Sequence, residues 1–172
     1  MKMKIRREQS GDEQQVYEVN LLAFERKEEA EVVDTLRKTC PDGVSLVAED
    51  DGRIVGHILF TPTIIEGKSS QLIGTGLAPM AVLPAYQRKG IGSALIVAGL
   101  QEMKKRGEPF VIVVGHPWLY PKHGFERASK YGITCEYPNV PDEVFMIVVF
   151  DAARVGRIKG VAKERPEFAA AM

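Results

Sequence analysis

At 172 residues, 45% hydrophobic and 27% charged, the chain is long enough for one domain whose core needs neither disulfide nor metal. Lysine plus arginine balances aspartate plus glutamate at 23 each, so no net field gathers nucleic acid or an anionic membrane, and any anion must be held locally. Cys40 and Cys135 lie far apart, with no Cys-x-x-Cys and no clustered histidines. That excludes a disulfide framework and a Cys/His zinc cage, and no metal is expected. The start, MKMKIRREQSGDEQQ, has no apolar run after its basic residues, and no stretch approaches the roughly 18 apolar residues of a membrane span. The expected compartment is a reducing cytoplasm, with neither membrane nor nucleic acid as partner.

In chain order, Lys4 to Arg7 reads as a short strand, and Ser10-Gly11-Asp12-Glu13 is a capping-box pattern that opens a helix with Val16, Val19 and Ala23 on one face. A second helix through Ala30, Val33, Leu36 and Cys40 stops at Pro41-Asp42-Gly43. Val44 to Glu49, the turn Asp50-Asp51-Gly52 and Arg53 to Ile65 form a hairpin, because Asp-Gly supplies the positive φ of a tight turn. Gln71 to Leu83 pairs most simply with the strand before it, and Pro79 inside it fits a bulge or an irregular edge. Ile91 to Leu100 is a buried apolar helix, polar from Gln101 to Arg106, where Lys104, Lys105 and Arg106 answer its negative end before Gly107 stops it. Phe110 to Val114 is a continuous apolar run, the mark of a central strand, and makes a parallel crossover with the strand before the helix. A short helix at Pro117 to Lys122, a strand at Tyr131 to Tyr137 and a last strand at Val144 to Phe150 follow. The expected division is a domain of residues 1–150 and a surface tail of 151–172, whose Val155 and Phe168 pack on the domain or on a second copy.

The strongest chemical signal is Gln87-Arg88-Lys89-Gly90-Ile91-Gly92, after a strand and at the mouth of a helix. Unpaired N–H groups there, with the positive end of the helix dipole, make an anion site suited to a diphosphate. The same residues also read as a plain strand-to-helix turn. A dinucleotide fingerprint is excluded because Leu95 stands where its third glycine belongs, and a P-loop because Gly92 is followed by Ser93-Ala94.

With the residues before it, this loop resembles the GNAT superfamily of acetyl-CoA-dependent N-acetyltransferases. Met80-Ala81-Val82-Leu83-Pro84 followed by Gln87-Arg88-Lys89-Gly90-Ile91-Gly92 is similar to its apolar-Ala-Val-x-Pro and Gln/Arg-x-x-Gly-x-Gly/Ala signature. Leu119-Tyr120-Pro121-Lys122-His123-Gly124-Phe125 resembles its Phe-Tyr-x-Lys-x-Gly-Phe. The likeness covers residues 4 to 150 and departs from the family at Val114-Gly115-His116-Pro117-Trp118, a short connection without the asparagine that many relatives carry. It implies an α/β acyl-CoA N-acyltransferase fold with a mixed sheet and splayed central parallel strands. It implies that Met80, Ala81, Val82, Gln87, Arg88, Lys89, Gly90, Ile91 and Gly92 bind acetyl-CoA, with an amine as the other partner and CoA as product.

Under the resemblance, a backbone amide of Met80 to Val82 is the oxyanion donor and Tyr120 the acid that protonates the departing thiolate. The alternative for Tyr120 is a ring that only packs in the core. Glu25, Glu49, His57 and His116 are the candidate bases, with a water chain as another; His57 in a strand also reads as a satisfied interior imidazole, and Glu25 as part of a solvated charge run. The implied activity is acetyl transfer to a primary amine of a small molecule or peptide. Two rivals stand beside it: an acyl-CoA-binding module without catalysis, and transfer to a hydroxyl or of a longer chain, the bulk of Met80, Ile91 and Trp118 arguing against the longer chain. Pairing with a second copy stays open.

Overall fold

The structure is a computed structural model and describes residues 2–172. The chain forms two compact units, one of Met1–Thr61, Ala78–Gly99 and Pro166–Met172, the other of Pro62–Leu77 and Leu100–Arg165. Among the described residues no helix is long and apolar enough to cross a membrane.

The first unit opens with β1 (Met3–Arg7), α1 (Glu13–Phe24), α2 (Glu28–Thr39) and β2 (Val44–Asp50), and takes in the first part of β3 (Arg53–Glu66) and the end of β4 (Gln71–Val82). β1 pairs antiparallel with β2, and β2 with β3, so that Ile5 faces Ala48 and Val47 faces His57. Asp51 (φ 47°) and Gly52 (φ 81°) make the two-residue hairpin turn that the Asp-Gly pattern requires. Acidic Glu28, Glu29 and Glu31 open α2, and Arg37 and Lys38 end it, matching the helix dipole at both termini. The middle of α3 (Ile91–Lys105) packs closely on β3: a Cβ added at Gly99 would stand 2.1 Å from Cζ of Phe60. Val16, Val33, Leu36, Val55, Ile58, Leu95 and Ile96 complete this core.

The start of α1 departs from the capping-box expectation. Asp12, not Ser10, precedes the helix, and its carboxylate is drawn away by the Arg6 guanidinium (2.7 Å) and the Gln9 N–H (2.7 Å). The Arg6 hydrogen bond holds Asp12 below the usual carboxylate range. One ion pair thereby fixes the angle between β1 and α1.

Behind that pair runs a buried polar chain. Asn20 Nδ2 donates to the Val16 carbonyl (3.0 Å) and to Nδ1 of His57 (3.0 Å), which leaves the His57 proton on Nε2, donated to Oγ of Ser45 (2.9 Å). Ser45 donates to the Glu8 carboxylate, whose other oxygen accepts from Nε (2.9 Å) and Nη2 (2.6 Å) of Arg37. His57 has no exposed surface, and burial, with Arg37 adding, pushes its pKa down to about 3. Glu8, Arg37, Ser45, Cys40 and Leu59 border a cavity of about 350 Å³.

The second unit holds the rest of β3 and β4 with β5 (Phe110–Val114), β6 (Glu126–Arg127), β7 (Ile133–Cys135), β8 (Phe145–Val149), α4 (Ala152–Gly156) and β9 (Gly160–Lys163). β4 and β5 run parallel from Thr75↔Val111 to Leu77↔Val113, where their ladder ends; β8 pairs antiparallel with β5 and with β6. A Cβ at Gly74 would strike the Phe110 ring at 2.3 Å, so glycine there lets the ring lie against β4. The expected strand at Tyr131 to Tyr137 is shorter, because the turn Ala128–Tyr131 runs into Gly132 (φ 72°) before β7 begins.

Residues after Asp151 are not a surface layer, and Val144 to Phe150 is not the last strand. β9 pairs antiparallel with β3 at Ile64–Glu66, beyond Phe60 where β2 pairing stops, and parallel with β7. An unpaired stretch of the long β3 is a strand edge that β9 satisfies. Val155, Ile158 and Ala162 join the core of Ile65, Phe110, Ile112, Ile133 and Ile147. In the first unit Phe168 is buried, while Glu167 accepts from Thr39 and the Ala171 carbonyl accepts from Arg26.

Two groups shifted by desolvation set opposing pH dependences. His57 stays neutral in the folded chain down to about 3, whereas unfolded it takes a proton near 6.5, so its contribution to stability is lost as pH falls through that window. Glu164, half-buried, is pushed up to about 7 from 4.5 by desolvation and by neighbouring Glu136, so its contribution is lost as pH rises through that window. Each slope is about 1.4 kcal/mol per pH unit. Urea denaturation between pH 5 and 6 is expected to show His57→Gln losing stability as pH rises and Glu164→Gln losing it as pH falls, each relative to wild type.

Candidate active site

The end of β4, the loop after it and the start of α3 are one continuous piece of the first unit, and together they hold all nine residues that the sequence marks for cofactor binding. The Leu83 N–H donates to the Val55 carbonyl (2.9 Å), which carries strand pairing to the end of β4. Pro84 then turns the chain through Pro84–Tyr86, and Nε2 of Gln87 reaches back to the Val82 carbonyl (3.0 Å), tying the loop to the strand it has left. Gln87 is thus a strut of the loop as well as part of its signature.

Arg88 (φ 61°) and Gly90 (φ 84°) both take the left-handed conformation, which turns the backbone sharply before the helix. The Gly90 carbonyl accepts from the Ala94 N–H (3.0 Å) and so begins the helical ladder, while the first-turn amides of an α-helix have no acceptor inside it. Ile91 is buried and anchors the turn, and Gly90 is exposed. A Cβ at Gly92 would meet Met80 Cε at 3.4 Å, Met80 Sδ at 3.7 Å and Val82 Cγ2 at 4.0 Å, so Met80 and Val82 floor the space over the helix start. Ala81 points into the core. Arg88 and Lys89 are exposed, and Lys89 Nζ sits 5.4 Å from the centroid of the Tyr86 ring. The result is a set of amide donors at the positive end of a 15-residue helix, bare of side chains at its two glycines.

Tyr120 belongs to the second unit. The chain leaves β5 through Gly115, whose N–H donates to the Val144 carbonyl (3.0 Å), and the His116 carbonyl accepts from Leu119 (3.1 Å) and Tyr120 (3.3 Å). The Tyr120 ring lies against Gly115, where a Cβ would stand 2.3 Å from Cε2, and edge-on to Phe125 (5.4 Å, 77°). Only 4% of the residue is exposed, and burial raises its pKa above the ordinary phenol value, so the hydroxyl keeps its proton at neutral pH. The expected helix at Pro117 to Lys122 is a short turn, Tyr120–His123, ended by Gly124 (φ 91°).

The four candidate bases fare differently. His57 is sealed, with both ring nitrogens bonded. Glu49 accepts from Arg6 (3.3 Å). Glu25 is exposed, in a left-handed conformation at the end of α1. His116 is exposed and stacks on Trp118. Neither that stack nor the Asn20-to-Arg37 chain was expected from sequence; the one available signal for the chain was a histidine inside the apolar run of β3.

A family model for the GNAT acetyltransferase domain matches residues 4–128. The uncharacterized N-acetyltransferase YjhQ of Escherichia coli (strain K12) is 38% identical over 136 residues, 77% of this chain and 75% of its own; YhbS of the same strain is 34% identical over 117 residues, 67% and 69%. The crystal structure of YhbS in complex with CoA superposes with a TM-score of 0.89 at 27% identity, covering 98% of this chain and 93% of that one. A GNAT family acetyltransferase from Brucella melitensis in complex with acetyl-CoA gives a TM-score of 0.76 at 30% identity, covering 97% and 98%. The mixed α/β fold, the loop at the start of α3 and these likenesses agree: the chain belongs to the GNAT N-acetyltransferase family and is an acyltransferase.

Proposed function

We propose that the protein transfers the acetyl group of acetyl-CoA to a primary amine of a small molecule or peptide and releases CoA. The observation that carries this reading is the row of amides at Gly90, Ile91 and Gly92, at the positive end of α3, open at Gly90 and floored by Met80 and Val82 at Gly92. Backbone donors suit a diphosphate better than any other part of the cofactor, because they are fixed in place and bear no side chain to clash. YhbS with CoA and the Brucella protein with acetyl-CoA support the same occupant. Both cysteines of this chain are free, which fits the cytoplasm.

Acetyl-CoA supplies the acyl group already activated as a thioester. The chain's residues do the rest. The amides of Gly90 to Gly92 hold the diphosphate, with Arg88 and Lys89 adding positive charge at the rim. Backbone groups of Met80, Ala81 and Val82 orient the cofactor arm as a neighbouring strand would, and one of their N–H groups stabilises the carbonyl oxygen as negative charge grows on it. Tyr120 holds a proton on its hydroxyl and delivers it to the departing sulfur. A phenol's ordinary pKa of about 10 exceeds a thiol's roughly 8.5, and burial raises the Tyr120 value further, so the transfer depends on close positioning more than on acidity.

A CoA-release screen over amines and peptides tests the activity; CoA binding without release for any acceptor would favour a binding module. Gly92→Ala adds a methyl in ordinary contact with Met80 and is expected to leave the melting temperature near wild type while weakening CoA, and Gly92→Glu, with bulk and like charge, to abolish CoA binding in calorimetry. Tyr120→Phe keeps the ring on Gly115 and Phe125 and removes only the proton: turnover should fall by about 10²–10⁴ with CoA affinity and stability little changed. An unaltered rate in that variant would pass the proton to water or to another group.

A further inference from the structure

The loop that carries the proposed cofactor amides begins and ends on two consecutive residues of β3, all within the first unit. Before the loop, the Leu83 N–H donates to the Val55 carbonyl (2.9 Å). After it, the first turns of α3 lie on Gly56, where a Cβ would stand 3.1 Å from Ile91 Cγ2 and 3.1 Å from Leu95 Cδ1. Contacts that close admit no side chain on β3 unless the helix start moves. The placement of the Gly90 to Gly92 amides is therefore set by the geometry of Val55 and Gly56.

Those two residues sit in an irregularity of the sheet. Ala48 pairs with Gly56 and Glu49 with Ile54, so Val55 is one residue more than β2 can match. Such a bulge leaves the extra residue outside the ladder and bends the strand, and its one-residue offset decides which face the later side chains take. Here it gives the Val55 carbonyl to Leu83 and turns bare Gly56 toward α3. A bulge also disrupts the hydrogen bonds around it, and a buried N–H without an acceptor is costly. Ile54 is only 2% exposed, and its N–H finds an acceptor outside the sheet: Oε1 of Gln15, in the first turn of α1 (3.0 Å).

We propose that Gln15 is a positioning residue for the cofactor, a role that rests on CoA occupying the α3 amides. Its bond to Ile54 holds the β3 bulge, and the bulge holds both ends of the loop. Gln15 thus acts through Ile54, Val55 and Gly56. A fixed array of donors binds an anion well because none has to be moved first, and that advantage is lost when the support beneath the array loosens. Coupling of this kind is reciprocal, so CoA on the loop must in turn steady the bulge.

The full chain is tested by calorimetry with CoA. Gln15→Leu keeps much of the bulk and removes the acceptor, and is expected to raise the Kd for CoA about fivefold or more. Gln15→Glu keeps an acceptor oxygen at the same reach, where the helix dipole favours negative charge, and should bind within about twofold of wild type. Val33→Ala takes volume from the core on α2, beside the Glu8–Arg37 cavity, and is the control for general loosening. It should lower the melting temperature at least as far as Gln15→Leu does and leave the Kd within about twofold of wild type. In wild type, where no variant has to fold, hydrogen exchange read amide by amide should slow at Ile54 as well as at Leu83 when CoA is added. An equal Kd in Gln15→Leu and wild type overturns the proposal, as does Gln15→Glu binding as weakly as Gln15→Leu. So does an equal loss of affinity in Val33→Ala, or Ile54 exchange that CoA leaves unchanged while Leu83 slows. Wild type that binds no CoA removes the cofactor reading and this role with it; wild type that binds CoA, with Gln15→Leu binding equally well, removes the positioning role alone.

Discussion

The amides at the start of α3 cannot be satisfied by the helix they begin, and the chain is arranged around that constraint. A helix leaves its first N–H groups unpaired wherever it starts; what differs here is how firmly the start is held and how little covers it. Strand pairing through Leu83, the Gln87 bond back to Val82 and the buried Ile91 fix the position, while Gly90 and Gly92 keep side chains away. Positive φ at Arg88 and Gly90 turns the backbone into the helix start, and only at Gly90 is that conformation free of a side-chain cost. Fixed donors that need no reorganisation are what an anionic cofactor group binds best.

The remainder of each unit reads as support for rigidity. In the first, charge and hydrogen bonding run from Arg37 through Glu8, Ser45 and His57 to Asn20, linking both helices to β2 and β3 by directional bonds where apolar packing alone would let them slide. His57 is consumed by that chain, which is why a histidine in the middle of the sheet is structural. In the second, Gly115 and Phe125 enclose Tyr120, and the same enclosure that orients the hydroxyl also keeps it protonated.

Much of this was legible from residue order. The Asp51-Gly52 turn, the apolar run Phe110 to Val114 and the stop at Gly107 follow from local rules, and they place the strands and the helix that carry the loop. The loop itself was readable because glycine and proline punctuate it. Where the reading failed, long-range partners decided the outcome. Ser10 gave way at the start of α1 because Arg6, on a neighbouring strand, claims Asp12. The apolar residues after Asp151 are broken up by glycines and charges and mark no clear period, and β9 exists because β3 offers a free edge. Trp118 and His116 stack through a turn geometry that composition does not encode.

The central claim is that CoA sits on the α3 amides, and its most direct measurement is a ¹⁵N–¹H spectrum of the chain titrated with CoA. The largest shifts are expected at Gly90, Ile91 and Gly92, with smaller ones at Arg88 and Lys89. Shifts centred instead on the residues around the Glu8–Arg37 cavity, with those five amides unmoved, would contradict the account.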